Sequence, residues 1–192
     1  SFVAAGLVGK EGRVHSFEPV QEYFLKLDNF ARINKDYKIK ANQAAVGDKK
    51  ENLEIFIKGE DYIGNNTFFP ELLGSEAKKT SRVQVIRLDD YIKENNLKNI
   101  SLIKIDVEGF EFPALRGLGG YFSECSKNNS CPAIVCEVVP EIYPKLGYEL
   151  EDLFDYMKQF FYYPFEVLNP NKKLGINKVK NNFVADVLFL QK

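Results

Sequence analysis

Short apolar segments alternate with helical periodicities over the first two-thirds of the chain. Val20–Ile33 carries apolar side chains at Phe24, Leu27, Phe30 and Ile33, which is the spacing of an amphipathic helix. The segments before and after such helices are apolar throughout or alternate apolar with polar residues, as strands do. This alternation predicts an α/β fold with a mostly parallel sheet. The predicted strands are Arg13–Phe17, Ile39–Val46, Leu53–Ile57, Val83–Leu88, Leu102–Ile105 and Ala133–Val138.

The last third of the chain has a different pattern. Glu151–Phe160 reads as a helix, and two strands follow at Tyr162–Leu168 and Phe183–Leu190. The segment between them, Asn169–Asn182, is rich in Asn, Lys and Gly and predicts a long exposed loop. We therefore expect the two strands to form a closing antiparallel pair. Because no repeat and no linker divides the sequence, we expect one domain spanning residues 1–192.

The least regular stretch is Lys58–Lys79, which contains glycines, asparagines and several aromatic residues. Loops of this length are often lids over a site, and Asn65, Asn66 and Thr67 would suit contact with a substrate. A plain surface excursion explains the stretch equally well.

Composition limits the possible functions. The 192 residues carry a net charge of -1, which favours neither nucleic acid nor an anionic membrane as partner. No apolar stretch is long enough to span a membrane. The three cysteines are too few for a disulfide framework, so we expect a reducing, cytoplasmic setting. Cys125 and Cys131 flank a polar loop and could pair if oxidised, which we do not expect, and Cys136 reads as a core residue.

An acid-rich turn follows the strand Leu102–Ile105. Asp106, Glu108 and Glu111 surround a turn glycine, Gly109, and a helix begins directly afterwards. Ligands of open α/β sheets bind outside the carboxyl ends of the strands, so this position is suited to chemistry. The acids also favour the positive end of the following helix, which explains part of the cluster.

The order and spacing of five segments resemble the FkbM family, a branch of the class I S-adenosylmethionine-dependent methyltransferases. A single one, such as Phe-Glu-Pro, would be weak, but together they are specific and cover most of the chain. The five segments are Val14–Pro19, Ala45–Asp48, Leu88–Tyr91, Leu102–Glu111 with Leu115 and Gly117 behind it, and Ile134–Glu137.

The resemblance implies a Rossmann-like sheet in the strand order 3-2-1-4-5-7-6, with S-adenosylmethionine as cofactor. Glu18, followed by Pro19, stands where an acid binds the ribose hydroxyls of a nucleotide. Gln43 and Ala44 are our candidates for the adenine site. Asp106 would face the sulfonium methyl group.

Methyl transfer to oxygen also requires removal of a proton, which a carboxylate can accept. The candidate catalytic residues are Asp106, Glu108, Glu111 and Glu137. His15, the only histidine, lies inside a strand and suits a structural role better. The acids could also hold a divalent cation, but we predict no metal. The resemblance implies a sugar, a glycan or a small-metabolite hydroxyl as acceptor.

One part of the family pattern does not appear: the first strand and its glycine-rich turn. We therefore expect a gap between the strands Val14–Glu18 and Leu102–Asp106, since this is where the first strand would lie. The two strands could pair directly, a partner chain could fill the gap, or a displaced segment could do so. Two other functions stay open: a non-catalytic binding or assembly module, with a homodimer as one form, and a nucleotide-sugar or dinucleotide binder.

Overall fold

The computed structural model describes residues 1–58, 66–74 and 79–192. Half of the expected lid, including Asn65, lies outside these residues. The strands are β1 (Val14–Phe17), β2 (Ile39–Asn42), β3 (Ala45–Val46), β4 (Glu51–Ile57), β5 (Lys79–Ile86), β6 (Leu102–Ile105), β7 (Ala133–Val138), β8 (Tyr162–Glu166), β9 (Asn169–Lys173) and β10 (Ala185–Gln191). The α-helices are α1 (Phe2–Val8), α2 (Gln21–Ile33), α3 (Leu88–Glu94), α4 (Glu111–Arg116), α5 (Gly119–Lys127), α6 (Leu150–Lys158) and α7 (Ile176–Lys180). Two 3-10 helices cover Pro70–Leu72 and Pro140–Leu146.

The main sheet has the strand order β6-β7-β10-β8-β9. β6 and β7 are parallel, whereas β10 runs antiparallel to both β7 and β8. This order matches the 4-5-7-6 half of the predicted sheet, and the predicted antiparallel closing pair is confirmed. The expected long loop between β8 and β10 is wrong in part, because Asn169–Lys173 folds back on β8 as β9 and Ile176–Lys180 forms a helical turn.

β1 and β2 form a separate parallel pair, which corresponds to the 2-3 half of the predicted order. Within residues 1–58, 66–74 and 79–192, β1 pairs only with β2 and β6 only with β7. The direct pairing of β1 with β6 that we considered is therefore wrong, and no displaced segment of the described chain fills the space. Leu102 on β6 remains 53% exposed at this edge.

A third sheet has the order β3-β5-β4. The predicted single strand Ile39–Val46 is wrong, because the chain leaves β1 after Asn42 and joins β5 at Ala45. A tight turn, in which the Ala44 N–H donates to the Asn42 carbonyl at 3.1 Å, makes this switch. The turn brings Ala44 and Ala45 to the carboxyl end of β1.

The larger core cluster lies where α4, α5 and α6 pack against the main sheet. Leu115, Phe122, Leu153 and Phe189 are fully buried there. Gly117 permits a close approach between elements, since a Cβ at this position would lie 2.1 Å from the Gly47 carbonyl oxygen. The carboxyl end of α4 is thereby fixed against the turn that follows β3.

Cys125 and Cys131 form a disulfide, so our expectation of free thiols at these positions is wrong. α5 ends at Lys127, and a turn with positive φ at Asn129 reverses the chain. The N–H of Ser130 donates to the Cys125 carbonyl at 3.1 Å, which brings the two Cα atoms to 4.9 Å. Cys136 is a free, buried core residue. Among the described helices, none is long and apolar enough to cross a membrane.

Candidate active site

A cleft lies between the carboxyl ends of β1 and β6. Phe17 and Glu18 form one side, and Asp106 and Glu108 form the other. The rest of the lining is mainly apolar, and much of it comes from residues 44–46 and from two aromatic side chains. These further residues include Pro19, Ala44, Ala45, Phe68 and Phe110.

Glu18 is fixed by the start of α2. Its Oε1 accepts a hydrogen bond from the Val20 N–H at 2.8 Å. Val20 is the N-cap of α2 and provides no side-chain hydrogen bond of its own. Burial raises the pKa of the Glu18 carboxyl, although the Val20 hydrogen bond acts in the opposite direction. The side chain is therefore a partly desolvated carboxylate at the edge of an apolar cleft, where its hydrogen bonds gain strength.

Pro19 and the two residues predicted for the adenine site, Gln43 and Ala44, are not placed alike. Pro19 and Ala44 line the cleft, and Ala44 is buried. Gln43 is exposed and is not among the lining residues, so it does not belong to the site as the structure has it. Gln43 occupies the turn between β2 and β3, and this turn places the small Ala44 at the cleft instead.

Asp106 belongs to a small polar network at the end of β6. It forms an ion pair with Lys104 and shares a hydrogen bond with Glu137 of β7. Burial would raise the pKa of Asp106, but the hydrogen bonds from Lys104 and Glu137 lower it overall. Burial and the bond to Asp106 raise the pKa of Glu137 to about 7. The two carboxyls therefore share a proton near neutral pH, with the charge mainly on Asp106.

Glu108 adopts φ +50°, a conformation that side chains rarely take. The Thr67 hydroxyl donates to the Glu108 carbonyl oxygen at 2.6 Å, and Thr67 is only 1% exposed. Gly109 follows at φ +100°, and a Cβ there would lie 3.1 Å from both Ile142 and Phe69. Burial and the nearby Asp106 raise the pKa of Glu108. Backbone packing thus holds this carboxyl at the mouth of the cleft.

Glu111 lies outside the cleft, although the sequence made it a catalytic candidate. Its side chain is fully buried, and its Oε1 accepts from the Gly109 N–H at 2.6 Å. Burial raises its pKa to about 8. Because a buried acid that closes its own turn cannot reach a substrate, this placement argues against the catalytic role. It is the third acid of the segment, and the turn at Gly109 directs it into the core.

His15 is hydrogen-bonded away from the cleft. Its Nδ1 lies 2.7 Å from the Tyr91 hydroxyl, which in turn donates to Asn42 Oδ1 at 3.0 Å. Burial and the nearby Lys40 lower the pKa of the imidazole. These contacts join β1, β2 and α3 and give His15 a structural role.

Sequence reasoning missed the aromatic wall formed by Phe68 and Phe110, whose ring centroids are 4.7 Å apart. The only signal was the aromatic content of the irregular stretch before Lys79. In the described parts of the chain, no group of three or more His, Cys, Asp or Glu residues is arranged to hold a metal ion.

The strand orders and the cleft at the strand ends define an α/β protein with a ligand site of the kind found in Rossmann-like folds. A family model described as "Methyltransferase FkbM domain" matches residues 1–174, and the chain belongs to this family. The predicted family is therefore confirmed.

Two individual proteins are similar to the chain. "Methyltransferase 1" of Beauveria bassiana (strain ARSEF 2860) is 27% identical over 124 residues, which cover 56% of this chain and 49% of that protein. The chain thus spans about half the length of this curated relative. A crystal structure of Methyltransferase FkbM from Methylobacillus flagellatus KT matches 93% of this chain and 36% of that chain, with a TM-score of 0.48 and 16% identity.

Proposed function

We propose that the chain carries out S-adenosylmethionine-dependent methyl transfer to a hydroxyl oxygen of a sugar, a glycan or a small metabolite. The observation that carries this proposal is the cleft that has Glu18 at one strand end and Asp106 with Glu108 at the other. Membership of the methyltransferase family gives the reaction class. The acceptor class and the cofactor are our proposals.

The residues of the cleft suit the cofactor chemically. The Glu18 carboxylate can accept hydrogen bonds from ribose hydroxyls, and the apolar wall with Ala44 and Phe68 suits a flat adenine ring. The acids Asp106 and Glu108 would attract the positive sulfonium. When bound, S-adenosylmethionine supplies a methyl group that is already activated for displacement.

The acceptor hydroxyl must lose its proton as its oxygen bonds to the methyl carbon. Bound S-adenosylmethionine would supply that carbon, and its sulfur would keep the electron pair of the broken carbon–sulfur bond. We assign the proton to Glu108, whose raised pKa brings the carboxyl closer to the value an efficient base needs near neutral pH. Asp106, held by Lys104 and Glu137, would position the reacting groups.

The cellular location remains a prediction. The small number of cysteines favoured the cytoplasm, but the disulfide between Cys125 and Cys131 is an argument against a reducing compartment, where such bonds are rare.

The proposal is tested by titrating S-adenosylhomocysteine into the chain and measuring the heat of binding. Glu18→Gln should weaken binding about tenfold or more, because hydrogen bonds to a charged group would be lost. Glu11→Gln is the matched control, since this carboxylate is 97% exposed and lies outside the cleft. Equal affinity of the Glu18 variant and the control would reject the ribose assignment. Absence of binding to the unaltered chain would favour the non-catalytic binding module.

A further inference from the structure

A second, smaller groove adjoins the cleft. One wall consists of Leu72 and Leu73, at the end of the 3-10 helix Pro70–Leu72. The other wall consists of Phe183, shortly before β10. Val139, which is 2% exposed, forms the floor. Glu108 lines both the groove and the cleft, so the two meet at this residue.

Tertiary contacts hold the wall with Leu72 and Leu73 in place. Thr67 exchanges two backbone hydrogen bonds with Phe56 of β4 and also donates its hydroxyl to Glu108. Farther along the same segment, Glu71 forms an ion pair of 3.4 Å with Lys145. The groove is thus built by the fold on both sides of Glu108.

The chemistry of the lining selects its occupant. Five of the seven described lining residues are leucine, valine or phenylalanine, and Phe183 is 64% exposed at the rim, where it can stack on a ligand. Among these seven residues the one side-chain hydroxyl, that of Thr67, already donates to the Glu108 carbonyl. Apart from the Glu108 carboxylate, no side chain of the described lining is therefore free to replace the hydrogen bonds that a polyol forms with water.

Among the described residues, acids predominate near the groove. Glu108 lines it, and Asp106, Glu137 and Asp186 lie close together at the same end of β6, β7 and β10. The nearby cation Lys104 is paired with Asp106, and Lys145 is paired with Glu71. An anionic ligand would meet repulsion here.

We propose that this groove binds the methyl acceptor and that the acceptor is an uncharged alcohol with an apolar, preferably aromatic, body, which narrows the acceptor classes proposed above to a small metabolite. The hydroxyl points to Glu108, and the apolar body lies between Leu72, Val139 and Phe183. This inference rests on the proposed function for the transfer step, but binding to the groove can be measured without it.

The test uses the chain with 13C-labelled leucine and valine methyl groups, titrated with benzyl alcohol and observed by NMR. Saturable shifts are expected at the methyls of Leu72, Leu73 and Val139. Benzoate and D-glucose at the same concentrations should cause smaller shifts. Glu108→Gln should improve the binding of benzoate relative to that of benzyl alcohol, because one repelling charge is removed.

Phe183→Ala should weaken the binding of benzyl alcohol roughly two- to tenfold through the loss of ring stacking. Phe161→Ala is the matched control, since this ring is 56% exposed but lies outside the groove, and it should leave the affinity unchanged. Shifts confined to other methyls, equal effects of the two phenylalanine variants, or preferential binding of benzoate or glucose would overturn the proposal.

The same spectra separate this proposal from the proposed function. S-adenosylhomocysteine should shift the methyls of Val46, which lines the cleft but not the groove. Benzyl alcohol shifts without any effect of S-adenosylhomocysteine would support the groove and refute the cofactor site. The reverse result would overturn the groove and leave the cofactor site intact.

Discussion

Glu111 should make the stability of this fold depend strongly on pH. The carboxyl is fully buried, and its pKa rises from 4.5 to about 8 through burial. In the folded protein it therefore keeps its proton over a pH range in which the unfolded chain has lost it. Its Oε2 has no hydrogen-bond partner among the described residues, and the buried hydroxyl of Tyr143 has none there either.

The sign follows from proton binding. Between pH 4.5 and about 8 the folded state binds more protons at Glu111 than the unfolded state, so the free energy of unfolding falls as the pH rises through this range. Below pH 4.5 both states are protonated, and above about pH 8 the loss is complete. A pKa difference of this size corresponds to on the order of 4 kcal/mol between about pH 5 and pH 9.

Glu111→Gln separates this effect from other titrations. The glutamine oxygen can still accept from the Gly109 N–H, but the side chain can no longer ionise. Urea unfolding of both proteins should give similar free energies near pH 5, whereas near pH 9 the variant should be more stable by several kcal/mol. Its melting temperature there should be higher by on the order of 10 °C.

Glu18, Glu108 and Glu137 also have raised pKa values. They too lower the free energy of unfolding as the pH rises, and they do so in both proteins. The difference between the two proteins therefore reports Glu111. Parallel pH profiles for the unaltered chain and Glu111→Gln would refute the reasoning, since Glu111 would then ionise in the folded state as readily as in water.

Two further perturbations test other parts of the fold. Thr67→Val should lower the free energy of unfolding by about 2 kcal/mol, because it removes the donor to Glu108 and the acceptor for the Phe69 N–H. Urea unfolding measures this change. The control is Thr80→Val, at an exposed threonine that donates to Glu54, and it should show a much smaller change. Cys131→Ser should lower stability by about 2 kcal/mol under oxidising conditions through the loss of a short cross-link. Reduction should remove the difference between Cys131→Ser and the unaltered chain, and equal melting temperatures before reduction would contradict the pairing.

The sequence predicted the fold best where local pattern and topology coincide. The apolar strands Leu102–Ile105 and Ala133–Val138 are found within these bounds, and the closing antiparallel pair lies beside them. The break within Ile39–Val46 was not predictable, because both halves are apolar enough for one strand and only the pairing partners differ.

For the site, too, the sequence predicted the positions of some residues and not those of others. Glu18 and Asp106 were expected at one cleft because strand ends of a parallel sheet lie along one edge, and they meet there although β1 and β6 belong to separate sheets. The opposite placement of Glu108 and Glu111 depends on backbone conformation at Glu108 and Gly109, which residue spacing does not reveal. Gln43 and Ala44 likewise differ in exposure although they are neighbours, since the turn between β2 and β3 directs them apart. The joining of Cys125 to Cys131 required the reversal at Asn129.

The separation of β1 from β6 gives a bound ligand a mechanical role. Glu18 and Asp106 follow strands that no backbone ladder joins within the described residues, so the width of the cleft is set without direct strand pairing across it. A molecule that contacts both carboxylates would connect the two sheets. At a concentration one hundred times its dissociation constant, such a molecule adds about 2.7 kcal/mol to stability. Binding and the cohesion of the two sheets are then one equilibrium.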